Sequence, residues 1–184
     1  MKKAILASLL AAVVLFLWGY LFWGVLQPVS AVIDQVPDED ALGATLKEHL
    51  PSAGTYMMPM AMDDPDMDAW TRRHESGPLV TIMFQPDGKP AMDPKVFLLG
   101  FGQGWLSLLL LALLLRWISR SLGSFGQRFG FLLWIGVIDV VWSNLGRPIW
   151  FFQPWDYHLL QATYTLSAWV ICGAILAWFV HGDT

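Results

Sequence analysis

The sequence has one cysteine, Cys172, in 184 residues. A single thiol excludes an internal disulfide and any multi-thiolate zinc site. Charged residues are scarce at 14%, apolar residues make up 55%, and mean hydropathy is +0.49. Acid is nearly absent outside one segment. Of fifteen Asp and Glu, only Asp139, Asp156 and Asp183 fall beyond the stretch from Asp34 to Asp93. Catalytic signatures are missing as well: no Gly-x-Ser-x-Gly elbow and no His-Glu-x-x-His occurs, so the usual serine-hydrolase and zinc-protease arrangements have nothing to build on. The acidic stretch carries twelve acids against Lys47, Arg72, Arg73, Lys89 and Lys95. A surface of that sign repels phosphate backbones and argues against nucleic acid as a partner.

Long apolar runs dominate what remains. A hydrocarbon core about 30 Å thick is crossed by a helix of roughly 20 apolar residues. Four runs meet that length, Ala4 to Leu26, Val96 to Leu115, Phe129 to Trp150 and Leu159 to Val180, and only the third holds charges, Asp139 and Arg147. The expected fold is an all-α membrane protein, a four-helix transmembrane bundle with a small α+β extracytoplasmic insert. Residues 1–27 form its first helix, 28–95 the acidic insert, and 96–184 the other three helices with short loops. The first run shares two features with a secretory signal, the preceding Lys2-Lys3 and the cleavage-like Val29-Ser30-Ala31. Its length and its closing aromatics Trp18, Tyr20, Phe22 and Trp23 favour a retained anchor with an interfacial belt. Basic residues set the orientation: Lys2 and Lys3 precede the first run, and Arg116, Arg120 and Arg128 lie between the second and third. The excess of Lys and Arg on the cytoplasmic side predicts cytoplasmic termini in a bacterial-type inner (plasma) membrane, with the insert outside.

The insert reads as helix, strand, helix, strand. Leu42, Leu46 and Leu50 recur every four residues after Pro37, a one-sided helix over Asp38 to Leu50. The segment from Gly54 to Pro59 reads as a short strand. Asp64-Pro65 looks like an N-cap followed by proline at the first helical position, with Arg72, Arg73 and His74 in the last turn and Gly77 as the stop. Pro78 to Phe84 is a second strand, and Asp93-Pro94 starts the next apolar helix. A unit of about 60 residues buries too little surface to stand alone, so the insert is expected to rest on the helix ends or on a partner.

Polar residues inside apolar runs are costly and therefore informative. Asp139, Ser143 and Arg147 lie at i, i+4 and i+8 of the third run, with Asn144 beside them, and His158, Gln161, Thr165 and Cys172 form a stripe on the fourth. Reversing the chain about Phe152 sets Arg147 near His158, Ser143 near Gln161, and Asp139 near Thr165. The set reads either as interhelical hydrogen bonding, with a protonated Asp139 donating to Thr165 or a neighbouring carbonyl and Arg147 pairing with Asp156, or as a polar transport or ligand site. Gly100 and Gly104 form a GxxxG pair suited to close helix packing, and Ala4, Ala7, Ser8 and Ala11 give the first helix a similarly small face.

Two metal readings are weaker. Met58, Met60 and Met62 have a spacing that offers thioethers to Cu(I), although alternation on a strand also suits packing. Asp64, Asp66, Asp68 and Glu75 imitate part of a calcium loop, but Ala69 stands where that loop needs glycine. No other cofactor is expected. These features favour a non-catalytic accessory, assembly or regulatory subunit of a membrane complex, whose partners are the lipid bilayer and other membrane subunits or further copies of itself. A small transporter or channel component using Asp139 is the alternative, and a copper-handling protein the third.

Overall fold

The computed structural model describes residues 1–61 and 66–181, so Met62 and the expected Asp64-Pro65 cap lie outside the described residues. The chain divides into two compact units, a helical body of residues 1–34 and 92–184 and an insert of residues 35–91. It is mostly helical with one small sheet. Four of its helical stretches are long and apolar enough to cross a membrane: Lys2–Leu26, Pro94–Ile118, Phe125–Phe151 and Trp155–Phe179.

In the body, α1 (Lys2–Gly19) continues as a π-helical segment, Tyr20–Leu26, and ends where Gln27 turns left-handed. For the long helix after the insert, Asp93 caps by accepting from Lys95 N at 2.9 Å, and Pro94 takes the first helical position, where its missing N–H costs nothing. This helix is α4 (Pro94–Ile118), after α2 (Glu39–His49) and α3 (Met67–Ser76) of the insert. Ser124 and Gln127 form a reciprocal capping box at the start of α5 (Phe125–Asp139). A π segment, Val140–Asn144, and the short α6 (Gly146–Phe151) complete that span. Phe152, left-handed at φ 53°, and Pro154 then reverse the chain into α7 (Trp155–Phe179).

The four spans form an open row in which α4 packs on α1, α1 on α7, and α7 on α5, while α4 meets α7 only weakly. Small residues explain the central place of α1. Ala4, Ala7, Ser8, Ala11 and Ala12 are buried, and that thin face admits a neighbour on each side. Leu108, Ala112 and Leu115 of α4, Leu132 of α5, and Cys172, Leu176 and Ala177 of α7 complete the core. These residues come from the first halves of the stretches Lys2–Leu26 and Phe125–Phe151 and the second halves of Pro94–Ile118 and Trp155–Phe179, so the tight packing lies at one end. Lys2, Lys3, Arg116 and His181 line one cavity at that end. Arg128, at the start of α5, donates there to Ala177 O at 2.9 Å. Consecutive spans therefore alternate in direction.

Within the insert, α2 (Glu39–His49) is capped by Asp38, which accepts from Ala41 N at 2.9 Å. The second insert helix, α3, runs Met67–Ser76 and is capped by Asp66 accepting from Ala69 N at 3.0 Å. The cap among the described residues is thus Asp66, and the expected Asp64-Pro65 pair lies outside them. Strands β1 (Gly54–Met58) and β2 (Val80–Phe84) pair antiparallel with Tyr56 opposite Ile82. Among the described residues of the insert, no side chain is buried.

Candidate functional site

The weak contact between α4 and α7 leaves a cleft of about 570 Å³ floored by Leu15 of α1. One wall is Gln103, Gly104, Ser107 and Leu111 of α4, and the other is Thr165, Trp169 and Cys172 of α7. It is mostly apolar, with amide and hydroxyl groups on facing walls. Gln103 is exposed and its Nε2 donates to Ser107 Oγ at 3.4 Å, while Ser107 donates to Gln103 O at 3.1 Å. Gly104 lies against Leu15, where an added Cβ would sit 3.7 Å from a methyl carbon. Gly100, the other member of the GxxxG pair, has nothing within 4 Å of an added Cβ. The close approach of α1 to α4 therefore runs through Gly104 and the alanine face, and Gly100 looks onto open space.

Asp139 stands behind the cleft. Its Oδ1 accepts from Ser143 Oγ at 2.9 Å and its Oδ2 from Trp169 Nε1 at 3.0 Å. The same indole lines the cleft. Gly136 makes this contact possible, since a Cβ there would fall 2.5 Å from Trp169 Cγ. The expected partner of Asp139 was Thr165, and the structure supplies Trp169 instead. The chain reversal is centred near Gln153 rather than Phe152, and helical side chains lean toward their own N-terminus. An indole from one turn further along α7 thus reaches back to the carboxylate, leaving Thr165 on the cleft wall. Asp139 also immediately precedes the π segment, where Leu145 N donates to Val140 O at 3.3 Å.

The outer half of the expected polar stripe is not gathered into one site. His158 is buried and its Nε2 donates to Gln153 Oε1 at 2.7 Å. Gln161 Nε2 donates to Tyr157 Oη at 2.7 Å, and Asn144 is buried. Arg147 is exposed. The Arg147–Asp156 ion pair does not form among the described residues; one that does is Arg72–Asp66 at 3.9 Å. Asp156 accepts instead from Tyr157 N at 2.8 Å, as a first-turn carboxylate can. The polar residues thus satisfy one another locally, within a turn or two.

Three indoles were the features that residue spacing did not single out. Trp105 Nε1 donates to Ser8 Oγ at 3.2 Å, Trp18 Nε1 to Ser167 Oγ at 3.0 Å, and Trp169 Nε1 to Asp139. These bonds join α4 to α1, α1 to α7 and α7 to α5, one for each contact of the row. Ser8 and Ser167 give their own protons to Ile5 O and Tyr164 O, which leaves a lone pair for the indole. For Trp105 and Trp169 the available signal was a tryptophan away from both ends of a long apolar helix, because a buried indole N–H seeks an acceptor, whereas Trp18 read as one of the closing aromatics of the first run.

Methionines 58 and 60 are 50% and 51% exposed, so they do not pack into a core of the insert. No cluster of three or more His, Cys, Asp or Glu suited to a metal ion occurs among the described residues. Asp66 acts as the cap of α3.

Fold and cleft together define a helical protein with four membrane-length stretches and a small α+β insert. Comparison with family models, with curated proteins and with solved structures gives no match.

Proposed function

We propose that the chain is a multi-pass membrane protein that acts as a non-catalytic subunit of a larger membrane assembly, with the α4/α7 cleft as the seat of a partner's transmembrane helix. The carrying observation is the exposed amide of Gln103 on the cleft wall. Gln103 lies near the middle of α4 (Pro94–Ile118), which corresponds to mid-depth if α4 spans. Lipid tails offer its remaining donor and acceptor nothing, whereas a neighbouring helix offers both. The uncovered insert supports the same reading, since its apolar side chains Leu42, Met58 and Met83 are all at least 43% exposed.

In this reading Lys2, Lys3, Arg116, Arg120 and Arg128 face the cytoplasm of an inner membrane and the insert faces the periplasm. A periplasm-active reporter fused at Gly77 is then on and one at Gly123 off; the reverse pattern overturns the orientation. The seat is tested by a photo-crosslinking residue at Ser107, in the cleft, and another at Trp142, an exposed site on the α5 span. One dominant protein adduct at Ser107 and none at Trp142 is the expected result. Equal adducts at both, or lipid adducts alone, remove the seat.

A second reading has its own observation. Trp169 touches both the cleft and Asp139, and about 570 Å³ lies in the size range of small-ligand sites. A transport or ligand site there predicts that Asp139→Asn abolishes uptake or binding at unchanged membrane levels. A subunit role predicts an unchanged ligand profile and a weaker complex.

A further inference from the structure

One stripe of α4 is open along nearly the whole helix. Val96, Gly100, Gln103, Ser107, Leu110 and Leu114 are all exposed and recur at alternating steps of four and three residues. At about 100° per residue they fall within an arc of roughly 80°. Leu108, Ala112 and Leu115, which α4 buries, lie outside that arc. Gln103, Ser107, Leu110 and Leu114 also line the cleft, so stripe and cleft are one continuous surface. A repeat averaging about 3.5 residues is the one by which two helices keep a seam in contact over several turns, and lipid imposes no such period.

We infer that the helix seated against this stripe is α4 of a second copy of the chain, paired about a two-fold axis that brings the two Gln103 amides together. The inference rests on the proposed seat for a partner helix and names its occupant. Copies inserted in the same sense are related by an axis along the membrane normal, so the two α4 helices run parallel and each residue at the axis meets its own counterpart. Such a seam needs side chains that complement themselves. A carboxamide does, because it holds both donors and an acceptor, and two of them close a pair of N–H···O=C bonds. Gln103 directs one N–H to Ser107 Oγ at 3.4 Å, and the pair uses the other N–H and the carbonyl. The rest of the stripe is apolar or hydroxyl, so no charge meets its like. A lone amide on a seam also fixes the register of the two helices. The exposed face of the α5 span lacks this property. Trp134 and Trp142 are 70% and 85% exposed there, and indoles, which only donate, cannot satisfy each other.

Gly100 and Gly102 supply a matched test. An added Cβ at either meets nothing within 4 Å inside the chain, and only Gly100 belongs to the stripe. Donor- and acceptor-labelled copies of the full chain are mixed in phosphatidylcholine vesicles, and energy transfer is followed as the protein is diluted with lipid. The parent chain should associate. Gly100→Leu should weaken association at least about tenfold by holding the helices apart, and Gln103→Leu about fivefold by removing the amide pair. Gly102→Leu should leave it unchanged. No transfer in the parent chain, or equal loss from both glycine variants, overturns the pairing. The photo-crosslinking residue at Ser107, used in native membranes, separates this inference from the reading beneath it. An adduct of twice the chain mass supports the second copy. An adduct to a different protein overturns the second copy and leaves the seat standing, and lipid adducts alone remove both.

Discussion

The body and the insert solve the same problem with opposite means. In the body, alanine, glycine and leucine make faces thin enough for helices to touch, and Ala11, Ala112, Leu115, Leu132, Leu176 and Ala177 are all 0% exposed. In the insert, local devices do the shaping. Asp38 and Asp66 cap the helices, and Tyr56 Oη donates to Ser52 O at 2.8 Å beside the hairpin. Neither insert helix packs closely on the hairpin among the described residues. Caps and turns specify short elements without needing a core, because each satisfies backbone groups within a few residues. Long apolar helices have their backbone satisfied internally, and their mutual placement has to come from side chains.

That contrast can be broken most sharply at glycine. Gly136→Ala drives a methyl group into the Trp169 side chain. It should destabilise the body by about 3 kcal/mol, read as a lowered thermal midpoint in detergent. Next comes Arg128→Met, which keeps much of the apolar stem and removes the donors to three carbonyls. A loss of about 2 kcal/mol is expected. Trp169→Phe preserves most of the ring and deletes the N–H held by Asp139. Its cost should be about 1 kcal/mol, near the usual range for hydrogen bonds between membrane helices. Gly43→Ala in the insert should have the opposite sign. An added Cβ at Gly43 meets nothing within 4 Å, so α2 should gain about 0.8 kcal/mol from helix propensity, seen as slower amide exchange in that helix. Smallest of all is Arg72→Ala. Its pair with Asp66 is long and 70% and 58% exposed, and less than about 0.5 kcal/mol should change in the same exchange measurement. If Gly136→Ala proves mild or Gly43→Ala damaging, the division between a packed body and a capped insert fails.

The separation of apolar runs from a polar insert was legible in the residues because it depends on local composition. The four stretches appear where the runs lie, although the third begins at Phe125 because the Ser124–Gln127 capping box starts it earlier than apolarity alone suggests. Insert elements came out in the expected order, with Asp66 capping α3 among the described residues. Helix rotation was less accessible. Asp139 was visible as an anomaly, but its partner depended on where the reversal is centred and how far an indole reaches back. Arg128 counted only as one of several basic residues near a helix end, and nothing in a charge tally separates it from exposed Arg120. The π segments have no marker in the spacing either.

The row of helices also has a consequence in time. The helix that joins the row at its centre, α7, follows the other spans in the chain, and it is the neighbour shared by α1 and α5. While a ribosome is still making the chain, α1 can collect α4, yet α5 has no principal neighbour until α7 emerges. For that interval Asp139 lacks its indole and Arg128 lacks the Ala177 carbonyl. A nascent chain stalled before α7 therefore displays a carboxylate and a guanidinium on an unpaired helix.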